Sequence, residues 1–138
     1  MRIMAIDYGD AHTGIAISDP TGFMAGGTTV INAYRPEQVA QGVARLAEEY
    51  GAEELVLGYP KNMDGTLGPR AEKAEAMAQL LRETVGLPVT LWDERRTTID
   101  AHNILFNSGK NAKQRKKVVD AVAASLILEG YLTFKKSR

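Results

Sequence analysis

The stretch RIMAIDYGDAHTGIAISD, residues 2–19, contains two short apolar runs separated by a connection rich in Gly and Asp. RIMAID (2–7) and GIAISD (14–19) contain β-branched residues and are bounded by turn-forming residues, which is typical of β-strands. TTVIN (28–32) follows the breaker AGG and has the same character. Three strands in close succession predict an antiparallel meander at the start of the chain.

The remaining chain alternates helical and strand patterns. Apolar residues recur at helical spacing from Pro36 to Gly51 and from Pro69 to Gly86, where Pro suits a helix start and Gly a helix end. The other predicted elements are the strands ELVLGYP (54–60) and PVTLW (88–92) and the helices TTIDAHNILFNSG (97–109) and VVDAVAASLILEGYL (118–132). The order βββαβαβαα predicts an α/β fold with a mixed five-stranded sheet flanked by helices, because right-handed crossovers add parallel strands to the meander.

Length and composition limit the possible classes of protein. A chain of 138 residues, 44% hydrophobic and 25% charged, fits one globular domain, which we expect to span residues 1–138. The absence of cysteine excludes disulfides, thiolate metal sites and cysteine nucleophiles. No apolar run approaches the roughly 20 residues of a membrane span, and the N-terminus has no signal-peptide pattern. We therefore expect a cytoplasmic location and no membrane partner.

The net charge of zero hides a separation of charge along the chain. Residues 1–109 hold 9 Lys and Arg against 15 Asp and Glu, whereas residues 110–138 hold 8 against 2. The basic residues concentrate in KNAKQRKK (110–117), which we interpret as a loop before the last helix. Such a segment beside an acidic body suggests a nucleic-acid partner, although a solvated lysine-rich loop explains the charge equally well.

Carboxylates occupy three positions where the predicted sheet has functional potential. Asp7 ends the first strand, and Asp93 and Glu94 end the fifth. Because parallel strands end at one edge of a sheet, these acids should lie at the same edge. Asp120 interrupts an otherwise apolar helix, on the face that also carries Ala123, Ala124, Ile127 and Tyr131.

Each acid also has an ordinary explanation. Asp7 can be a turn residue that bonds to its own backbone, and Glu94 can pair with Arg95 or Arg96 at the surface. Asp120 can favour the positive end of its helix. Taken together, three converging carboxylates predict an oxygen-ligand site for Mg²⁺, with Mn²⁺ as the alternative.

Four blocks of the sequence resemble the signature blocks of the YqgF family, in order and over nearly the whole chain. They are AIDYGDAHTGIAISD, LVLGYPKNMDGTLGPRA, DERRTTIDAHNIL and VVDAVAASLILEGYL. This family includes proteins described as Holliday junction resolvases and as nucleases of the 16S rRNA precursor, within the ribonuclease H-like superfamily. The resemblance implies a ribonuclease H-like fold, a metal-dependent nuclease and a role in trimming the 5′ end of precursor 16S rRNA.

The resemblance also implies particular site residues. The family's catalytic and metal-binding acids fall on Asp7, Glu94 and Asp120, with Asp93 as the neighbouring candidate. Expected substrate contacts are Gly58, Lys61, Asn62, Gly65, Arg95 and Thr97, and the basic segment adds Lys113, Arg115, Lys116 and Lys117. This chain departs from its relatives at Asp10, Ala11 and His12, where they often carry a basic pair, so we expect substrate binding to depend more on the basic segment.

Several functions remain compatible with these residues. We favour a monomer that hydrolyses single-stranded precursor RNA, since a short basic segment suits a small footprint, with Tyr8, Tyr59 and Arg95 as candidates for stacking on bases. A dimer that resolves branched DNA is the alternative, and the residues leave endonucleolytic and exonucleolytic cleavage both open. Two further alternatives are a non-catalytic RNA-binding assembly factor and an actin-like ATPase, because Asp7-x-Gly9-x4-Gly14 resembles a phosphate loop, although the second ATPase domain would be missing.

Overall fold

Five strands and three helices occur in residues 2–19, 25–60, 66–93 and 112–136, the parts of the chain that the computed structural model describes. The strands are β1 (Arg2–Asp7), β2 (His12–Ser18), β3 (Ala25–Asn32), β4 (Ala52–Tyr59) and β5 (Val89–Asp93). The helices are α1 (Pro36–Tyr50), α2 (Pro69–Val85) and α3 (Ala112–Lys136). The predicted helix at 97–109 lies outside the described residues.

The sheet has the strand order β3-β2-β1-β4-β5. β1 pairs antiparallel with β2, and β2 pairs antiparallel with β3, which confirms the predicted meander. β4 is parallel to both β1 and β5, as right-handed crossovers require. β1, β3, β4 and β5 therefore all end at one edge, which we call the carboxyl edge, at Asp7, Asn32, Tyr59 and Asp93.

Local sequence explains where α1 and α2 begin and end. Both have Pro in the first turn, where the missing N–H has no intrahelical partner to lose. Gly51 and Gly86 follow them with φ of 70° and 76°, a left-handed conformation that Gly adopts without a side-chain clash. Each helix follows a strand that ends at the carboxyl edge, so the N-termini of α1 and α2 both lie there.

The sheet separates two apolar layers. Met4, Ile6 and Ile15 face α1 and α2, whereas Ile3 and Ala5 belong to the layer that also contains buried residues of α3. Side chains alternate along a strand, so Asp7 lies on the same face as Ile3 and Ala5. The end of β1 therefore places an acid on the α3 side of the carboxyl edge.

Helix α3 begins earlier than the sequence predicted. It starts at Ala112, so residues 112–117 form its first turns, and their interpretation as a loop was wrong. Lys, Arg and Gln are good helix formers, and no Gly or Pro interrupts the segment, so the basic residues extend the helix rather than precede it. Within the described parts of the chain, none of the helices has both the length and the apolar character that crossing a membrane requires.

Candidate functional site

Asp7 is held at the carboxyl edge by the tight connection between β1 and β2. It is half-buried and lies opposite Gly14 of β2. A Cβ atom on Gly9 would lie 2.3 Å from the carbonyl oxygen of His12, so only Gly permits this close approach of the two backbones. The N–H of Gly9 also donates to Thr13 Oγ1 at 3.5 Å. These contacts fix the chain that follows Asp7.

Asp93 reaches the same edge from β5. It lies opposite Tyr59 of β4, and β4 in turn neighbours β1. Two strand spacings separate β5 from β1, about 10 Å at the usual spacing of paired strands. The predicted sharing of one edge by Asp7 and Asp93 is thus confirmed, whereas Glu94 lies outside the described residues.

Asp120 lies in the interior of α3, eight residues after its first residue Ala112. The field of a helix terminus is felt only within the terminal turn, so the explanation of Asp120 as a residue favoured by the positive helix end no longer applies. Asp120 occupies the helical row that continues through Ala124, Ile127 and Tyr131, and these three are buried. Its backbone position is described, whereas its side chain is not.

The described residues include only part of the expected metal site. Among the residues with described side chains, no group of three or more His, Asp or Glu is arranged to hold a metal ion. The expected set needs Glu94 and the side chain of Asp120, which lie outside that part of the chain. Asp7, a described member of the set, and the neighbouring candidate Asp93 carry hard carboxylate oxygens, and this donor chemistry fits Mg²⁺ or Mn²⁺.

The expected substrate contacts are only partly described. Gly58 is buried in β4 opposite Trp92, and it lines a small pocket at the carboxyl edge together with Tyr8, Asp10, Pro60, Arg70, Lys73 and Ala74. Lys61, Asn62, Gly65, Arg95 and Thr97 lie outside the described residues. Lys113, Arg115, Lys116 and Lys117 lie in the first two turns of α3, and their side chains are likewise not described.

The first turns of α2 place two basic residues beside the small pocket at the carboxyl edge. Arg70 and Lys73 lie in the first two turns of α2, and Lys73 Nζ is 3.4 Å from Asp10 Oδ1. Both partners of this ion pair are largely exposed, so the pair adds little to stability and leaves Lys73 available to other anions.

Tyr8 and Tyr59 are less suited to base stacking than we expected. Both are half-buried and pack against the core on the α1 and α2 side of the sheet. The hydroxyl of Tyr59 donates to Glu75 Oε1 at 2.5 Å, and this hydrogen bond raises the pKa of Tyr59. Burial, with Asp10 and Glu37 nearby, raises the pKa of Tyr8.

Sequence reasoning missed the connection between β3 and α1. Because β3 runs parallel to β1, Asn32, Ala33, Tyr34 and Arg35 lie at the carboxyl edge as well. The meander itself carried this signal, since the first and third strands of a meander always end at the same edge. The carboxyl edge therefore also includes the end of β3, which the sequence reasoning from the acids did not include.

Comparison with known proteins assigns this chain to a family. A protein-family model described as "RuvX: Holliday junction resolvase" matches residues 1–134. The chain belongs to the RuvX family. This membership confirms the resemblance to YqgF proteins. A relative from Halothermothrix orenii, named "Putative pre-16S rRNA nuclease", is 46% identical over 135 residues, which is 98% of this chain and 96% of the relative.

Solved structures confirm the ribonuclease H-like fold of this RuvX-family chain. RuvC of T. thermophilus in complex with a Holliday junction substrate has a TM-score of 0.59 at 14% identity and covers 99% of this chain and 96% of that one. A Fowlpox virus resolvase in complex with Holliday junction DNA has a TM-score of 0.62 at 15% identity, with 98% and 99% covered. At such identities the likeness concerns the fold alone.

Proposed function

We propose that this RuvX-family nuclease is metal-dependent and processes the 5′ end of the 16S rRNA precursor. The proposal depends on one structural observation: β1 and β5 both end in an acid at the carboxyl edge, and Asp7 lies on the sheet face that α3 covers. The names of the relatives support the choice of substrate, since the similarity extends over nearly the full length of both chains.

In this proposal Asp7, Glu94 and Asp120 hold Mg²⁺, with Asp93 as a neighbouring carboxylate. The bound ion would stabilise negative charge on the phosphodiester during its hydrolysis. The protein positions the scissile phosphate: Arg95 and Thr97 follow β5, Gly58 lies near the end of β4, and Lys61, Asn62 and Gly65 belong to the segment between β4 and α2. Asp7 and Asp93 are held at the ends of paired strands, so these two acids need little reorganisation during the reaction.

The basic first turns of α3 supply the affinity for nucleic acid. Lys113, Arg115, Lys116 and Lys117 precede Asp120 on one continuous helix, so a phosphate backbone bound by them is led towards the acidic site. The remainder of the chain is acidic and repels a second duplex arm. This distribution favours a single strand of RNA bound by a monomer.

Branched DNA is the second candidate substrate, because the matching family model is described as a Holliday junction resolvase. Cleavage of both strands of a junction needs two active sites and therefore a dimer. A metal site that recognises phosphates does not distinguish the two substrates, so the surface around it decides.

The decisive experiment compares Asp7→Asn with Glu49→Gln on single-stranded precursor rRNA in the presence of Mg²⁺. Asp7→Asn removes a ligand and should reduce the cleavage rate by at least 100-fold, about 2.7 kcal/mol in activation free energy. Glu49→Gln changes an exposed carboxylate near the end of α1, far from the carboxyl edge, and should cleave at the wild-type rate. Full activity of Asp7→Asn would contradict the metal site, and RNA binding without turnover by the wild type would favour an assembly factor.

A further inference from the structure

Tyr34 is an unusually exposed aromatic residue at the carboxyl edge. Its relative exposure is 82%, against 39% for Tyr50 at the other end of α1. An aromatic ring this exposed, at the same edge as the proposed nuclease site, is a candidate for stacking on a base.

The position of Tyr34 is fixed relative to the connection that follows Asp7. The N–H of Ala33 donates to the carbonyl oxygen of Ala11 at 3.1 Å, and His12 Nδ1 hydrogen-bonds Asn32 Oδ1 at 2.7 Å. Ala33 also packs against the core. Tyr34 therefore projects from a backbone with its neighbouring residues anchored, and a base that stacks on it requires little ordering of the protein.

The distance between β1 and β3 suits a short stretch of single strand. β2 separates these strands, so β3 lies about 10 Å from β1 at the usual strand spacing. At about 3.4 Å for each stacked nucleotide, this lateral separation corresponds to roughly three nucleotides. A strand that crosses the carboxyl edge at Asp7 can thus reach Tyr34 within a few nucleotides.

The charge around Tyr34 indicates stacking rather than electrostatic attraction as its main contribution. Arg35 is exposed and can contact a phosphate, but Glu37, in the first turn of α1, offsets its charge. The basic residues of α3 lie on the opposite face of the sheet, since α1 and α3 pack on different faces. The bound strand is then held by base stacking at Tyr34 and by electrostatic attraction of its phosphates at the basic turns of α3.

We propose that Tyr34 stacks on an unpaired base of the nucleic-acid substrate, with Arg35 beside it, a few nucleotides from the phosphate at Asp7. This inference rests on the proposed nuclease function and adds a residue that contacts an unpaired base of the single strand. Bases of a duplex are already stacked on one another, so Tyr34 contributes nothing to duplex binding. The recognised chemistry is the flat face of a base, and sequence has little influence.

The test measures binding separately from cleavage, in the Asp7→Asn background. A single-stranded RNA carrying 2-aminopurine, titrated with protein, should show quenched fluorescence on binding. Tyr34→Ala should abolish the quenching and weaken this binding by about 5- to 150-fold, the range expected when one stacked base loses its partner. Tyr34→Phe should restore both, because Phe keeps the ring. Affinity for an RNA duplex should not change, and neither should the salt dependence of single-strand binding.

Tyr50→Ala is the matched control, because Tyr50 is an exposed tyrosine at the last residue of α1, far from the carboxyl edge, and its replacement should leave binding unchanged. Wild-type affinity of Tyr34→Ala, an equal loss of duplex binding, or failure of Tyr34→Phe to restore binding would overturn the inference. The nuclease proposal fails in a different way: single strands bind through Tyr34, but the chain with Asp7 intact does not cleave them. Thermal unfolding of each variant verifies that the fold is retained.

Discussion

Glu54 is a carboxylate at the start of β4 with a relative exposure of only 7%, so its charge needs partners inside the protein. Tyr131 of α3 donates a hydrogen bond to Glu54 Oε2, and Lys135 Nζ lies 2.9 Å from Glu54 Oε1. The Trp92 ring packs edge-on against Tyr131 with 5.8 Å between ring centroids. This polar cluster joins the C-terminal turns of α3 to the sheet, at the opposite end of the helix from its basic first turns.

The pKa values in this cluster predict how stability depends on pH. Burial and, after it, the hydrogen bond to Glu54 raise the pKa of Tyr131, and the hydrogen bond to Glu54 raises the pKa of Lys135. Both groups hold their protons more tightly in the folded state than in the unfolded state. Their contribution is therefore complete below the unfolded pKa values, about 10, and is lost as the pH rises through the folded values.

We expect Tyr131→Phe to be less stable than the wild type at pH 7 by about 1–3 kcal/mol, because Glu54 stays buried with one partner fewer. The variant should also lose less stability than the wild type between pH 9 and pH 11. Urea unfolding at pH 7, pH 9 and pH 11 gives both quantities. Tyr50→Phe is the control, since Tyr50 is substantially exposed. Parallel pH profiles for wild type and Tyr131→Phe would show that Tyr131 does not titrate in this way.

At the scale of elements, the sequence predicted boundaries well where a residue type forces the backbone. Pro36 and Pro69 begin their helices because the proline ring fixes φ and removes the backbone N–H. Gly51 and Gly86 follow the helix ends because the positive φ there favours Gly. The start of α3 was missed because its basic residues form helix as readily as the apolar ones that follow, so charge was mistaken for a boundary. Helix propensity alone does not locate a helix boundary when no capping or helix-breaking residue marks it.

The basic turns of α3 should act as a binding element without being needed for the fold. Replacing Lys113, Arg115, Lys116 and Lys117 with Gln keeps good helix formers at each position. We expect weaker binding to every nucleic acid, and a salt dependence reduced by roughly 0.7 to 0.9 log units for each phosphate that the variant no longer neutralises.

Arg45→Gln provides the comparison for removal of a single charge, because Arg45 is exposed in the middle of α1. This control should leave the salt dependence unchanged. Binding measured by fluorescence anisotropy over a range of salt concentrations distinguishes the variants. If the fourfold variant has the wild-type slope, the basic turns of α3 do not bind phosphates.

At the scale of the whole molecule, topology decided which acids share an edge. The handedness of crossovers was enough to predict that Asp7 and Asp93 end together, and helix periodicity was enough to place Asp120 in a buried row. The exposure of Tyr34 and the burial of Tyr8 and Tyr59 were beyond reach, because exposure depends on which layers cover a residue after folding. Sequence spacing therefore predicted the positions of the acids in the fold, but not the exposure of the tyrosines near them.

The distribution of charge over the molecule predicts its assembly and its substrate. Residues 1–109 have a net charge of −6 and residues 110–138 of +6, so the positive surface is confined to one part of the chain. A four-way junction presents several duplex arms and needs two active sites, whereas a single strand needs one. We expect the purified protein to sediment as a monomer and to cleave single-stranded precursor RNA at least 10-fold faster than junction DNA, about 1.4 kcal/mol in activation free energy. Analytical ultracentrifugation and parallel cleavage assays at one Mg²⁺ concentration measure both properties. A stable dimer that makes paired, symmetric incisions in junction DNA and leaves RNA intact would reverse this assignment, because only two sites held at a fixed separation cut opposite strands together.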